Sequence, residues 1–253
     1  MEHSTEILYN KTEVSCSAVH RFGSDALLLA RFCEPRRSQK AADLCSGCGI
    51  VSLEWHDRGH RGPCAAVELQ PEASALLQEA VAEQGIGHIT PYLADLRTFR
   101  EGEGQFDVCA CNPPYFTAGP QSTDAGRATA RHETDCTLED VCACGFRLLK
   151  DGGKLVVVSP SPRHLFELKE VLYEKPYENK PNVYGLNKFD ESEEIIFEYP
   201  VVLESQEDIF NLFTMTPYYY KTSAEAVEKL KKVDRLELTC GFSIRTFTKK
   251  RGF

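Results

Sequence analysis

The sequence predicts an α/β fold, a doubly wound, mostly parallel sheet of seven strands with an antiparallel edge strand. Three observations carry that expectation. Short apolar runs alternate with stretches of helical spacing through residues 41–160, as expected of strands buried on both faces and linked by helices. A glycine-bearing turn, Asp43-Leu44-Cys45-Ser46-Gly47-Cys48-Gly49, follows the first of these runs. Two later runs, Glu194 to Tyr199 and Leu236 to Thr248, have strand character and fit the closing of one sheet edge.

The elements follow in order. Ala26 to Phe32 reads as a short helix after the Gly23 turn, and Ala41 to Leu44 ends the first strand. A helix opens at Ile50 and runs to His56. Cys64 to Leu69 is the second strand. Pro71 starts a long helix through Gln84, with Ala75, Leu76, Ala80 and Val81 at helical spacing. Ile89 to Leu93 and Phe106 to Cys111 are the third and fourth strands, and Leu138 to Leu149 is helical. Asp151-Gly152-Gly153 turns the chain into a fifth strand, Lys154 to Ser159. Helices over His164 to Tyr173 and Ala224 to Val233 accompany the last two strands. The expected organisation is one domain over residues 1–253, with an N-terminal segment (1–40), a core (41–160) and a C-terminal part that completes the sheet (161–253).

Composition narrows the class. Of 253 residues, 42% are hydrophobic and 26% charged, as in ordinary globular proteins. No apolar run has the length of a membrane span, and the first residues lack a signal-peptide pattern, so a cytoplasmic location is expected. The eleven cysteines fall mostly in apolar runs, where thiols act as small hydrophobes. Cys45-x-x-Cys48 and Cys142-x-Cys144 have no second half-site, so no metal is expected. A net charge of -9 argues against broad attachment to nucleic acid. Residues 221–253 are locally basic, which fits either a solvated face or an RNA contact.

The glycine turn suits a nucleotide-like cofactor. Gly47 and Gly49 permit tight turning and close backbone approach. Asp43 at the strand end is placed to hold an ammonium group, Glu68 to accept from ribose hydroxyls, and Asp95 to accept from an adenine amine. No lysine follows the second glycine, which argues against a phosphate-gripping loop. Later comes Asn112-Pro113-Pro114-Tyr115. An exocyclic adenine amine is a poor nucleophile because its lone pair is delocalised into the ring. The Asn112 side-chain oxygen and the Pro113 carbonyl are placed to accept its two N–H bonds. The prolines fix the loop, and Tyr115 offers a stacking face. Together the two motifs point to methyl transfer from S-adenosylmethionine to a nitrogen.

On these residues, positions 1–150 resemble the bacterial tRNA-Val adenine N6-methyltransferases. Arg21 to Ala30, the turn at Asp43, Val67-Glu68-Leu69-Gln70-Pro71, Asp95-Leu96-Arg97, Cys111 to Phe116 and Ala130 to Glu133 carry the resemblance. It implies a Rossmann-like methyltransferase fold and an RNA partner, with tRNA favoured over rRNA. It also implies that Asp43, Gly47, Gly49, Glu68 and Asp95 hold the cofactor and that Asn112 to Tyr115 hold the target adenine. Cys45 departs from that family, which has glycine there, and sets a side chain at the methionine end of the cofactor site. From Leu155 onward, Ser159 to Glu170 and Met215 to Thr222 resemble the large-subunit rRNA guanine N1-methyltransferases, so the chain reads as a join near Gly152-Gly153. That family's four-cysteine zinc module has no counterpart here, since only Cys16 and Cys33 precede the first core strand. Three alternatives stay open: guanine N1 methylation, protein-glutamine methylation, and cofactor binding without turnover.

Overall fold

The computed structural model of the protein describes residues 3–113, 137–179, 187–220 and 222–252. Seven strands form the central sheet: β3 (Ala41–Leu44), β4 (Cys64–Glu68), β5 (Ile89–Leu93), β6 (Phe106–Cys111), β7 (Leu149–Pro160), β8 (Phe189–Leu203) and β9 (Leu236–Lys249). Their spatial order is β5-β4-β3-β6-β7-β9-β8. The first five pair in parallel. β9 runs antiparallel to both β7 and β8, so the antiparallel strand lies one place in from the edge and β8 flanks it. The seven-stranded, mostly parallel, doubly wound plan is the one expected.

Alternation along the strands sends side chains to two faces. Ala41, Ala66, Ala110 and Val156 face a core completed by α1 (Ser24–Phe32), α2 (Ile50–Asp57) and α3 (Pro71–Glu83). Ala42, Val67, Cys109 and Leu155 face the other side, where α4 (Leu138–Leu148) contributes Val141, Cys144 and Leu148. A third cluster joins α5 (Phe166–Leu172), α6 (Gln206–Met215) and α7 (Ala224–Leu230) to Leu238 of β9.

Local chemistry sets the helix starts. Thr137 and Asp140 exchange side-chain and backbone bonds in a capping box at α4. Pro71 occupies the first turn of α3, where its missing N–H costs nothing. At α5 the chain stays in a turn through His164, and Leu165 takes φ 53°, so the helix begins two residues later than the spacing suggested. Two features escaped the sequence reading. One is an antiparallel hairpin, β1 (His3–Ile7) with β2 (Glu13–Ser17). The Asp57 carboxylate at the end of α2 accepts from Asn10 N at 2.8 Å and Thr12 N at 3.0 Å, which clamps the hairpin turn. Asp57 is buried, but these hydrogen bonds outweigh the desolvation and hold its pKa below the usual value. The other is α6, which buries Ile209 and Phe213 and packs Phe210 and Leu212 against the same cluster, at the spacing of one helix face. β8 is also longer than expected, because its exposed acidic residues hide the strand pattern.

Candidate functional site

The strand order reverses between β3 and β6, and a cavity of about 300 Å3 opens there at the strands' C-terminal ends. Crevices at that point of open α/β sheets are the usual ligand sites. The β3–α2 turn forms one wall. Cys45, Gly47 and Gly49 have φ of 57°, 55° and 84°. The left-handed region costs an L side chain about 1 kcal/mol or more, so glycine at position 45 in the resembling family has a backbone cause. The Cys45 side chain packs on the α4-side core while still bordering the cavity.

Gly47 borders the cavity, and a Cβ built on it would meet nothing within 4 Å, so its backbone face is open to a ligand. Glu68 fixes this turn. One carboxylate oxygen accepts from Gly47 N at 2.7 Å, and the other accepts from Leu69 N at 2.9 Å and Gln70 N at 2.8 Å. Two carboxylate oxygens offer about four acceptor sites, which leaves one for a ligand hydroxyl. Asp95, across the cavity, is gripped by Arg97: its oxygens accept from Arg97 Nε at 2.9 and 3.0 Å and from Nη2 at 2.6 Å. Those bonds hold the Asp95 pKa below the usual value. At the remaining side stands Asn112, whose amide Nδ2 donates to Asp25 Oδ2 at 3.0 Å.

Gly47, Glu68, Asp95 and Asn112 therefore share one cavity, as the motifs suggested. Asp43 and Gly49 lie outside its lining. Asp43 is buried behind the turn, where its Oδ2 accepts from Ser52 N at 3.1 Å in the first turn of α2. Burial pushes its pKa up to about 7, against the lowering bonds from Ser52. It anchors the helix to the strand end from outside the cavity lining. A Cβ on Gly49 would fall 2.3 Å from Leu77 Cδ1, so this glycine serves the packing of α2 on α3. Pro113 follows Asn112 and is half-buried, whereas Pro114, Tyr115, Phe116 and the 130–133 segment lie outside the described residues.

Sequence reasoning assigned no role to Ser46 or Asp25. Ser46 sits inside the turn motif, and its Oγ is buried without a hydrogen-bond partner among the described residues. Asp25 lies 87 positions from Asn112, so no spacing rule links them. An unpartnered hydroxyl, an open glycine face, one spare carboxylate site and an acid–arginine pair suit a ligand with carboxylate, amine and hydroxyl groups. S-adenosylmethionine has that donor and acceptor set, and the residues present fit it.

Other candidates resolve into structure. In the basic tail, Lys229, Lys231, Arg235, Arg245 and Lys250 each pair with an acid. Lys249 is buried and donates to the Phe146 and Leu149 carbonyls. Tyr218 is a core residue. Burial lowers the His164 pKa to about 4, while its Nδ1 accepts from Gly241 N at 3.1 Å and its ring packs on Phe242. Among the described residues the cysteines form no disulfide, no cluster of three or more His, Cys, Asp or Glu suits a metal ion, and no helix is long and apolar enough to cross a membrane.

The fold and the cavity are those of Rossmann-like S-adenosylmethionine-dependent methyltransferases. Comparison with known proteins agrees. The methyltransferase small domain family matches residues 7–190, and the chain belongs to that family. As a member of that methyltransferase family, the chain has S-adenosylmethionine as its cofactor. The chain is 31% identical over 144 residues to a tRNA1(Val) (adenine(37)-N6)-methyltransferase of Dickeya chrysanthemi, covering 56% of this chain and 57% of that protein. It is 27% identical over 154 residues to the Parabacteroides distasonis protein of the same name, covering 60% and 62%. The chain thus spans somewhat over half the length of these curated relatives. Among solved structures, the YcgJ protein of Bacillus subtilis shares the fold at 12% identity and TM-score 0.58, over 90% of this chain and 99% of that one. Geranyl diphosphate methyltransferase in complex with SAM shares it at 13% identity and TM-score 0.50, over 89% and 84%.

Proposed function

We propose that this protein transfers the methyl group of S-adenosylmethionine to the exocyclic N6 of an adenine in tRNA. The observation that carries the reading is Asn112 Oδ1, a buried cavity-side acceptor with no partner among the described residues. The curated relatives, named as tRNA adenine-N6-methyltransferases, support the choice of acceptor. Ser46, Gly47, Glu68 and Asp95 would hold the cofactor, which supplies a methyl group on a sulfonium. Asn112 Oδ1 accepts one N–H of the amine, and the Pro113 carbonyl accepts the other. The nitrogen lone pair is thereby drawn out of conjugation and aimed at the methyl carbon. With S-adenosylmethionine bound there, its methyl would pass from sulfur to this nitrogen, and the amine would then lose one proton to solvent. Positioning supplies most of such a rate gain, so no strong base is required. A stacked target base must swing out of the RNA to reach this depth.

Guanine N1 carries a ring proton that a base must remove. His164, the histidine carried by that resemblance, is buried against Phe242 and its Nδ1 is occupied, which disfavours that reading. The test is incubation with labelled cofactor and unmodified tRNA and rRNA, followed by digestion to nucleosides. N6-methyladenosine from tRNA is expected, and N1-methylguanosine would overturn the assignment. Asn112→Ala should lower kcat by about 100-fold or more, by analogy with loss of one oriented hydrogen-bonding group. Its affinity for S-adenosylmethionine should stay within about twofold of wild type, because the residues assigned to the cofactor are untouched.

A further inference from the structure

We propose that Asp25 is a positioning residue that fixes which end of the Asn112 amide faces the reacting nitrogen. This rests on the reading of Asn112 as the acceptor of the target amine. The amide oxygen and nitrogen of an asparagine are nearly equal in size, and rotation by half a turn exchanges them. The two orientations have opposite chemistry, since the oxygen accepts an N–H and the nitrogen repels one. A catalytic asparagine therefore needs a second group that discriminates between its two ends.

Asp25 is placed to discriminate. Its Oδ2 accepts from Asn112 Nδ2 at 3.0 Å, so the amide nitrogen is held toward α1. The oxygen is thereby left on the other side, where it is buried and unpartnered among the described residues. In the reversed orientation Oδ1 would face a carboxylate oxygen, acceptor against acceptor, and the NH2 group would face the incoming amine, donor against donor. Both contacts oppose the reversal.

The carboxylate is itself held by rigid parts. Asp25 is buried in the first turn of α1, where the helix dipole favours a negative charge. Its Oδ1 lies 2.6 Å from where a Cβ on Gly23 would stand, so the glycine at the helix N-cap leaves room for the carboxylate to fold back. The backbone at Gly23 has φ -104°, which any residue adopts, so space is the reason for glycine there. Asn112 directly follows the end of β6. The acceptor is thus set between a helix start and a strand end, the kind of support that keeps a functional group in register.

The test is a double-mutant cycle of Asp25→Ala and Asn112→Ala, with Asp25→Asn alongside, scored on total label transferred whatever molecule carries it. Asp25→Ala releases the Asn112 side chain and should lower kcat by about tenfold or more, the scale of loss for a misplaced reacting group. Asp25→Asn can hold the amide either way round, so the competent fraction falls by about half and kcat by about twofold. In the Asn112→Ala background, Asp25→Ala should cost less than about twofold more, because the amide that it orients is already gone. Calorimetric affinity for S-adenosylmethionine should be within about twofold across the set. An independent readout is the side-chain amide signal pair of Asn112 in the nuclear magnetic resonance spectrum, identified by its loss in Asn112→Ala. One of its protons should shift in Asp25→Asn. Additive losses in the cycle, an Asp25→Ala variant with wild-type kcat, or an amide signal that ignores Asp25 would each overturn the proposal. The identity of the methylated product judges the acceptor assignment separately.

Discussion

Replacing Glu68 with glutamine keeps the size of the side chain and removes one acceptor oxygen. In the native turn both oxygens are in use, one by Gly47 N and the other by Leu69 N and Gln70 N. A glutamine must present its NH2 group to one of those sites, donor against donor. If the amide oxygen keeps Leu69 and Gln70, the bond to Gly47 is lost; in the reverse orientation two bonds are lost. Glu68 is buried, so the orphaned N–H groups gain little from water. Removing one partner of a hydrogen bond and leaving its buried donor unsatisfied costs about 1–3 kcal/mol, and more where the lost partner was charged, or roughly 2–4 kcal/mol here. For a chain of this size that lowers Tm by about 2–4 °C per kcal/mol, or roughly 5–15 °C. Because Gly47 is the residue released, affinity for S-adenosylmethionine should fall with stability. Scanning fluorimetry with and without cofactor measures both. A variant that melts with the wild type and binds as tightly would refute the claim that this carboxylate ties the turn to β4. Lost affinity at unchanged Tm would mean that Glu68 acts on the ligand and not on the turn.

Asp43→Asn tests whether the buried carboxyl contacts the cofactor. Its raised pKa, about 7 against 3.8, means that the folded state binds the extra proton between those values, so its contribution to stability falls as pH rises through that window. The asparagine still accepts from Ser52 N, so it should melt at or above the wild-type Tm at pH 8 and retain cofactor binding; abolished binding in a folded variant would restore a direct role. Gly49→Ala should be destabilised by about 2–4 kcal/mol, from left-handed strain and the overlap with Leu77, and a Tm within 1–2 °C of wild type, under about 1 kcal/mol, would contradict this. His56 and His60 pack on His88, which immediately precedes β5, and burial, followed by the neighbouring positive groups, lowers the pKa of His88 to about 4. The unfolded histidine takes its proton near 6.5, so stability should fall as pH drops from 6.5 to 4. His88→Phe should make that fall shallower in melts run across the range; an unchanged slope would remove His88 from the account.

Much of this molecule is legible in its sequence because the signals are local. A parallel strand buried on both faces must be apolar throughout, as in Leu155 to Val158, and Pro71 marks a helix start wherever it is read. The turn at residues 43–49 and the asparagine at 112 announce themselves by residue types with few other uses in that pattern. Even the departure at Cys45 is visible, although its backbone meaning needs the φ angle of 57°. What escaped includes a hairpin clamped by Asp57 from 45 residues away, a tie that no local pattern records, and α6, although its Ile209, Phe210, Leu212 and Phe213 do stand at helical spacing.

The sequence by itself determined the alternation of elements, the sheet class, and the four positions that converge on the cavity, because periodicity and turn chemistry act over a few residues. Only the tertiary structure decided which acids face a ligand. Asp43, Glu68 and Asp95 all fall at or just beyond strand ends, yet Asp43 turns inward to Ser52, Glu68 spends three of its acceptor sites on backbone, and Asp95 is bound to Arg97. The contact between Asp25 and Asn112 likewise exists only because α1 and β6 meet in space, and a hydrogen bond across 87 residues leaves no mark on local spacing.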